Sequence, residues 1–195
     1  MTNSEQNRIN LCRVRFLESE RVFLTPANND DFDDHYRWNH DREMVYLDDM
    51  YFRPQNFSDA REAFEKRIRS KDVIALSVIL KETGEHIGVT EIYAIDEYER
   101  KYIWGVVLDR KFWRQGLGTE VAGLIIRYVF EDLGYRRLKS YTHSGNPVSM
   151  KFQEKLGFVK EAVLRQEYFF GGEYVDGVNY GMLRDDYEEA FGKGK

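Results

Sequence analysis

The sequence predicts a mixed α+β domain, with a mostly antiparallel sheet of six to seven strands flanked by about four helices. Three observations support this class. Apolar runs of strand length, bounded by turn residues, occur both before residue 110 and after residue 157. A long amphipathic helical pattern separates the two groups. The strands on either side of that helix make a strand–helix–strand unit inside the otherwise antiparallel arrangement.

The N-terminal half is expected to form an antiparallel meander behind two helices. Residues 1–16 are interpreted as a tail or an extra edge segment, and the strand at 21–25 stops at Pro26. Residues 28–31 supply caps for a first helix, and a second helix is expected to begin at a Ser58 cap. Three further strands are expected, at 73–80, 86–95 and 102–108.

The C-terminal half begins with the longest helix, which runs from Gly116 to about Leu133 and ends at a left-handed Gly134 cap. A strand at 138–142 follows, and then a helix with Pro147 at its first position. Two final strands, at 158–170 and 174–183, are expected to meet at a pair of glycines. Residues 17–188 are therefore predicted to form one domain and residues 189–195 a C-terminal tail.

The composition excludes several classes of function. A formal net charge of -5 argues against a nucleic-acid partner, because binding to a phosphate backbone requires clustered cations. Cys12 is the single cysteine and the four histidines lack metal-ligand spacing, so neither a disulfide nor a metal site is expected. No apolar run approaches the roughly 20 residues of a membrane span, and residues 1–10 are polar. We therefore expect a cytoplasmic protein with no membrane partner.

The most informative segment is the loop from Trp113 to Thr119, between an expected strand and the long helix. Its two glycines, Gly116 and Gly118, leave backbone N–H groups unobstructed at the start of that helix. The helix dipole adds partial positive charge there, so the loop suits a pyrophosphate. The alternative is a packing role, because many strand–loop–helix turns need glycine for close approach.

This strand, loop and helix resemble the acetyl-coenzyme A motif of the GNAT acetyltransferases, Q/R-x-x-G-x-G/A. Residues 146–149 (NPVS) and 155–158 (KLGF) resemble that family's N-x-x-S/A and K-L-G-F signatures. The resemblance covers roughly residues 22–187, in the branch that holds ribosomal-protein N-alpha-acetyltransferases and spermidine N-acetyltransferases. The sequence departs from the motif at its first position, where Trp113 replaces Gln or Arg.

The resemblance implies a GNAT fold with a splayed central strand pair, and acetyl-coenzyme A bound as co-substrate without a metal. The strand at 106–108 would splay from the strand at 138–142, so that free backbone groups of Val106 and Leu108 pair with pantetheine. Asn146 would hold the pantetheine as well. The expected coenzyme-binding residues are Val106, Val107, Leu108, Trp113, Arg114, Gln115, Gly116, Leu117, Gly118, Thr119, Asn146, Ser149 and Phe152.

Acetyl transfer to an amine requires a proton acceptor for the amine and a donor for the departing thiolate. Glu91 is the expected base, because many GNAT members carry their catalytic glutamate on this strand, although a strand glutamate also forms ion pairs. The family's usual acid, a tyrosine, corresponds to Gln153 here. Ser149 is therefore the expected acid. The alternatives are Tyr141, Glu167 and Tyr168.

An aromatic and acidic cluster is expected on the substrate side, formed by Trp38, Tyr46, Asp48, Asp49, Tyr51 and Phe52. Such a cluster attracts a cation, although a solvated helix edge over buried aromatics has the same pattern. The predicted function is transfer of an acetyl group from acetyl-coenzyme A to a primary amine by direct attack in a ternary complex. The amine is a protein N-terminus, a polyamine or another small amine. A catalytically weak coenzyme-binding or interaction module is the alternative, and a homodimer is compatible with the resemblance.

Overall fold

The computed structural model describes residues 13–48, 53–170 and 172–192. Within these ranges one sheet contains eight strands: β1 (Leu17–Glu18), β2 (Val22–Pro26), β3 (Val73–Leu80), β4 (His86–Asp96), β5 (Lys101–Leu108), β6 (Arg137–His143), β7 (Val159–Phe170) and β8 (Glu173–Leu183). Their order across the sheet is β1-β2-β3-β4-β5-β6-β8-β7. The β5–β6 pair is parallel, and the other neighbours are antiparallel.

In the same ranges six helices flank the sheet: α1 (Phe32–Trp38), α2 (Arg42–Asp48), α3 (Phe57–Ile68), α4 (Leu117–Arg127), α5 (Pro147–Lys155) and α6 (Arg184–Phe191). A π-helical turn, Tyr128–Asp132, prolongs α4 toward Gly134, whose φ of 63° ends it in the left-handed region. Within the described ranges, every helix is too short or too polar to span a lipid bilayer.

The predicted class, a mixed and mostly antiparallel sheet with a strand–helix–strand unit, is confirmed, but the predicted numbers of strands and helices were too low. The two-residue strand β1 is too short to show an alternation of apolar side chains. Helix α2 buries Met44 alone and so presents no apolar stripe. The predicted Ser58 cap was wrong, because the Asn56 side chain accepts the cap hydrogen bond from the Asp59 N–H at 3.0 Å.

Both ends of the described chain pack on the domain. The N–H of Phe16 donates to the Leu24 carbonyl at 2.8 Å, so the segment before β1 follows the edge of the sheet. At the other end, α6 continues across residue 188. Tyr187 of α6 is buried, and Phe191 packs against the core.

The two faces of the sheet carry different helices. The main core lies on one face, where the buried side chains of α4 pack with Leu76, Val78 and Trp104. Because side chains alternate along a strand, Ser77 of β3 points to the opposite face. Its hydroxyl donates to the carboxylate of Asp31, next to the start of α1, at 2.7 Å. Helix α1 therefore covers the second face.

A buried ion pair fixes the N-terminal segment to this second face. Asp31 is fully buried, and its carboxylate accepts a hydrogen bond from the Arg13 guanidinium at 2.5 Å. The same carboxylate accepts from the Asn28 N–H at 2.9 Å. Burial by itself would raise the pKa of Asp31, but Arg13 and His86 outweigh it and hold that pKa below its ordinary value. The carboxylate therefore stays ionised and pairs with a cation that is itself buried.

We expect the free energy of unfolding to depend on pH through His35 of α1. Burial, with His86 close by, lowers the pKa of His35 from 6.5 to about 4. The unfolded chain therefore binds a proton below about pH 6.5 that the folded chain excludes, so stability falls as pH decreases from about 6.5 to about 4. The slope should be at most about 1.4 kcal/mol per pH unit. Urea unfolding at several pH values should show a stability that falls with pH in this range, and His35→Gln should make the slope smaller. An equal slope in both proteins would contradict the assignment.

Candidate active site

The strands β5 and β6 pair at one end and separate at the other. Their parallel pairing covers Lys101 to Ile103 opposite Arg137 to Lys139. Beyond these positions β5 continues to Leu108 and β6 to His143, and the two strands diverge. A wedge-shaped gap therefore opens in the middle of the sheet, toward the carboxyl ends of both strands.

Free backbone groups of β5 line one side of this gap. The Asp109 N–H donates to the Ile87 carbonyl at 2.9 Å, so residue 109 faces β4. In an antiparallel pair this orientation repeats at every second residue, which also directs Val107 to β4. Val106 and Leu108 therefore turn their backbone groups toward the gap. The same argument applies to β6, where the bond from the Ser144 N–H to the Asp176 carbonyl (2.8 Å) leaves Tyr141 and His143 facing the gap.

The loop after β5 presents the start of α4 at the mouth of the gap. Gly116 is the N-cap residue with φ of 80°, which glycine adopts without strain. Arg114 also has a positive φ, of 61°, and it is exposed together with Gln115. The first N–H groups of a helix lack partners within that helix, so this turn offers donors to an anion. The Trp113 indole donates to the Leu108 carbonyl at 2.6 Å and so occupies one backbone acceptor of the gap.

The side chains of Arg21 and Glu120 hold this loop in place. Arg21, just before β2, donates to the Gln115 carbonyl at 2.9 Å, and its Nε lies 2.5 Å from the carboxylate of Glu120. A Cβ added at Gly118 would lie in ordinary van der Waals contact with the Leu108 and Phe152 side chains, at 3.7 and 3.8 Å. The loop and α4 therefore sit on the end of β5 and on α5 at once.

Helix α5 forms the far wall of the gap. The Asn146 side chain caps α5 by accepting from the Ser149 N–H at 2.9 Å, and it donates to the Leu47 carbonyl of α2 at 2.9 Å. The Ser149 hydroxyl makes no hydrogen bond within the described residues. Gln153, the position of the family tyrosine, is buried and donates to the Ser140 hydroxyl at 2.6 Å.

Glu91 lies on the face of the sheet opposite α4. It pairs in register with Ala75 and Gly105, and it shares its face with Val89. Its carboxylate accepts from the Arg67 guanidinium of α3, with the shortest contact at 2.6 Å. Both carboxylate oxygens are therefore engaged by a cation.

A cavity of about 270 Å³ lies beside the gap on this same face. Its lining residues are Asp48, Tyr141, Thr142, His143, Leu164, Glu167, Tyr168 and Asn179. A bulge in β7 shapes its floor, because the register shifts between Leu164 and Tyr168 and Gln166 has a positive φ of 53°. The bulge brings the Glu167 carboxylate over Gly177, where any side chain would collide with it.

His143 is buried at the end of β6 and contributes to the cavity wall. Its Nε2 lies 2.9 Å from the carbonyl oxygen of Tyr46. A carbonyl only accepts, so Nε2 carries the hydrogen and Nδ1 carries the lone pair. Burial lowers the pKa of His143, and the hydrogen bond to Tyr46 opposes this shift in part. The imidazole is therefore neutral at pH 7.

The predicted aromatic and acidic cluster divides into two parts. Tyr46 contacts His143, with ring centroids 5.3 Å apart, and Asp48 lines the cavity. Trp38 instead is buried away from it and donates to the Asp109 carboxylate at 3.0 Å. The remaining members, Asp49, Tyr51 and Phe52, lie outside the described residues.

Sequence reasoning did not find His143, because a single histidine carries no spacing signal and its partner, Tyr46, lies 97 residues away. Glu167 was considered, but the bulge that directs it into the cavity has no clear pattern in the sequence. Among the described residues, no group of three or more His, Cys, Asp or Glu side chains could hold a metal ion.

Comparison with known proteins finds similar sequences and a similar fold. The chain is 26% identical over 148 residues to the SPbeta prophage-derived uncharacterized N-acetyltransferase YokL of Bacillus subtilis, covering 76% of this chain and 82% of that protein. It is 24% identical to the spermidine N(1)-acetyltransferase of Escherichia coli, covering 67% and 69%. The crystal structure of spermidine N-acetyltransferase from Vibrio cholerae in complex with CoA and spermine has a TM-score of 0.79 at 20% identity, covering 85% of this chain and 97% of that one.

The family evidence covers most of the domain. The model of the acetyltransferase (GNAT) domain matches residues 21–159, from the start of β2 through α5. This range contains the strand gap, the glycine loop and the Asn146 cap. The chain therefore belongs to the GNAT acetyltransferase family and is an acetyl-coenzyme A-dependent N-acetyltransferase.

Proposed function

We propose that this protein transfers the acetyl group of acetyl-coenzyme A to a primary amine by direct attack in a ternary complex. The observation that carries the proposal is the continuity of the strand gap with the exposed loop residues 114–116 at the start of α4. The gap offers the Val106 backbone groups and the Leu108 N–H to an extended chain, since Trp113 occupies the Leu108 carbonyl. The turn at Gly116 offers N–H donors to a pyrophosphate at the end of that chain.

The acetyl group would then lie deep in the gap, and the amine would approach from the cavity on the opposite face from α4. The proposed coenzyme contacts run along this path, from residues 113–119 at the mouth to Ser149 and Phe152 on α5. The Ser149 hydroxyl, which has no hydrogen bond within the described residues, is the proposed proton donor to the thiolate.

Charge favours a cationic acceptor. The carboxylates of Asp48 and Glu167 line the cavity beside the rings of Tyr141 and Tyr168. Acidic groups and aromatic faces together attract ammonium groups. The Vibrio cholerae structure holds spermine, which is such a cation. We therefore propose a polyamine or a peptide with a basic N-terminus as the acceptor class.

Glu91 is the base expected from its strand position, but its ion pair with Arg67 limits how readily it accepts a proton. Both carboxylate oxygens accept from the guanidinium, so protonation of Glu91 would break that pair. Glu91→Gln is therefore a direct test of the assignment. If Glu91 is the catalytic base, the variant should lose turnover while its affinity for acetyl-coenzyme A is unchanged. If Glu91 is only an ion-pair partner, the variant should mainly lose stability.

The test of the proposed function is release of coenzyme A thiol from acetyl-coenzyme A in the presence of spermidine or a basic N-terminal peptide. We expect turnover with these amines and much slower turnover with a neutral amine analogue of the same length. Calorimetric titration with acetyl-coenzyme A, with plain coenzyme A for comparison, measures binding separately. Binding without turnover on any amine would instead support a coenzyme-binding module.

A further inference from the structure

We propose that His143 accepts the proton that the amine loses as it attacks the acetyl group. The inference rests on the proposed function and assigns a catalytic role to a residue outside the predicted set. It stands on three observations about one side chain: its position in the cavity wall, the hydrogen bond that fixes its tautomer, and a ring nitrogen without a partner.

The first observation is position. The backbone of His143 faces the gap, and its register partner on β8 is Gly177. Paired residues project to the same face of a sheet, so the imidazole lies beside the Glu167 carboxylate that covers Gly177. Tyr141, two residues earlier, projects to this face as well. The imidazole therefore stands between the gap and the acidic cavity.

The second and third observations are the fixed tautomer and the ring nitrogen that it leaves without a partner. The Tyr46 carbonyl binds Nε2 at 2.9 Å and so keeps the hydrogen on that nitrogen. Nδ1 is left as an acceptor, and it makes no hydrogen bond with any described residue although it is buried. A buried acceptor without a partner costs stability, and a catalytic role is one reason for such a group to be retained. Here it retains a lone pair that can take a proton.

The surroundings of His143 include the Tyr46 hydroxyl and several titratable groups of the cavity. An ideal Cβ at Gly145 would lie 2.9 Å from Nδ1 and would collide with the Tyr46 hydroxyl, so a side chain at this position would displace Tyr46 and crowd the ring nitrogen. The titratable groups that face the site are Tyr46 and Asp48 from α2, Tyr141 from β6, and Glu167 and Tyr168 from β7. Because burial lowers the pKa of His143, the imidazole is neutral and competent as a base at pH 7.

The proton balance is complete without any further reactant. The bound ammonium gives one proton to Nδ1, and the resulting amine forms a C–N bond at the thioester carbonyl. The C–S bond then breaks, and the leaving thiolate takes a second proton from the substituted nitrogen, directly or through Ser149. The third proton stays on the amide. The imidazolium finally returns its proton to solvent, which restores the neutral ring.

The experiment compares the pH dependence of kcat for the wild type, His143→Gln and Glu91→Gln, with both substrates saturating. Glutamine keeps a donor near the Nε2 position for the Tyr46 carbonyl and removes the base. We expect the wild-type kcat to fall tenfold per pH unit below a midpoint under about 6.5. In His143→Gln we expect kcat at pH 7.5 to fall on the order of 100-fold, with loss of that acid limb and unchanged acetyl-coenzyme A affinity.

An unchanged profile in His143→Gln, or loss of the acid limb in Glu91→Gln alone, would overturn the proposal. If His143→Gln does not fold, NMR titration of the His143 ring in the wild-type protein provides the test. The midpoint of that titration must coincide with the kinetic limb, and a clear difference between the two would also overturn the role. Absence of turnover by the wild type with every amine would contradict the proposed function itself, and the role of His143 with it.

Discussion

Replacement of Gly116 by aspartate is expected to weaken acetyl-coenzyme A binding by at least about 100-fold, or roughly 2.7 kcal/mol. The carboxylate would stand at the N-cap of α4, where the proposed pyrophosphate site lies. It would also attract Arg21, whose guanidinium lies 3.2 Å from an ideal Cβ at this position. Repulsion between like charges and competition for the cation both oppose a bound anion.

Gly116→Asn is the matched control for this prediction. Asparagine has the same shape as aspartate, and both tolerate the left-handed conformation that φ of 80° requires. The control therefore carries the steric and conformational cost without the charge, and we expect it to lose affinity only several-fold. Calorimetric titration of both variants measures the difference. Equal affinities in the two variants would place the pyrophosphate somewhere other than this turn.

Replacement of Asp31 by asparagine is expected to lower the free energy of unfolding by about 3–5 kcal/mol. The substitution keeps the shape of the side chain and removes its charge, which leaves the Arg13 cation buried without a counter-ion. An uncompensated buried charge is far more costly than a buried pair. The loss should appear as a lower midpoint in urea unfolding, followed by circular dichroism, with little change in the slope.

The double variant Arg13→Met with Asp31→Asn is the control. Because it removes the cation as well, we expect it to lose clearly less stability than the sum of the two single variants. Strictly additive losses would mean that Arg13 and Asp31 do not interact in the folded protein. A loss below about 1 kcal/mol in Asp31→Asn would mean that Arg13 is exposed to solvent and that the N-terminal segment is detached.

Much of the fold could be predicted because its determinants are local. The turn residues and the alternation of apolar side chains placed the main strands within one or two residues, and Gly134 correctly ended the long helix. Helices α2 and α6 were missed because they are short and their contacts are tertiary. Their burial rests mainly on Met44 and Tyr187, one residue in each helix.

In the candidate site, too, the features with local determinants could be predicted and those that depend on tertiary contacts could not. The loop at Gly116 was found because two glycines before a helix form a local pattern with a direct physical meaning. The pairing of Glu91 with Arg67 depends on how α3 packs, and the tautomer of His143 depends on a carbonyl from α2. Neither partner is adjacent in sequence. The chemistry of those two side chains could therefore be assigned only after the helices had been placed.

The gap between β5 and β6 has a consequence for how the two halves of the sheet are joined. The parallel pairing of β5 with β6 covers three residue pairs, the last of them Ile103 with Lys139. This pairing joins the five strands β1 to β5 to the three strands β6, β8 and β7. A chain bound in the gap would act as a missing ninth strand and couple the two halves. The amide hydrogens of Val106 and Leu108 should therefore exchange with solvent much more slowly when acetyl-coenzyme A is bound. In this fold the ligand would be part of the sheet, and the stiffness of the domain would depend on its occupancy.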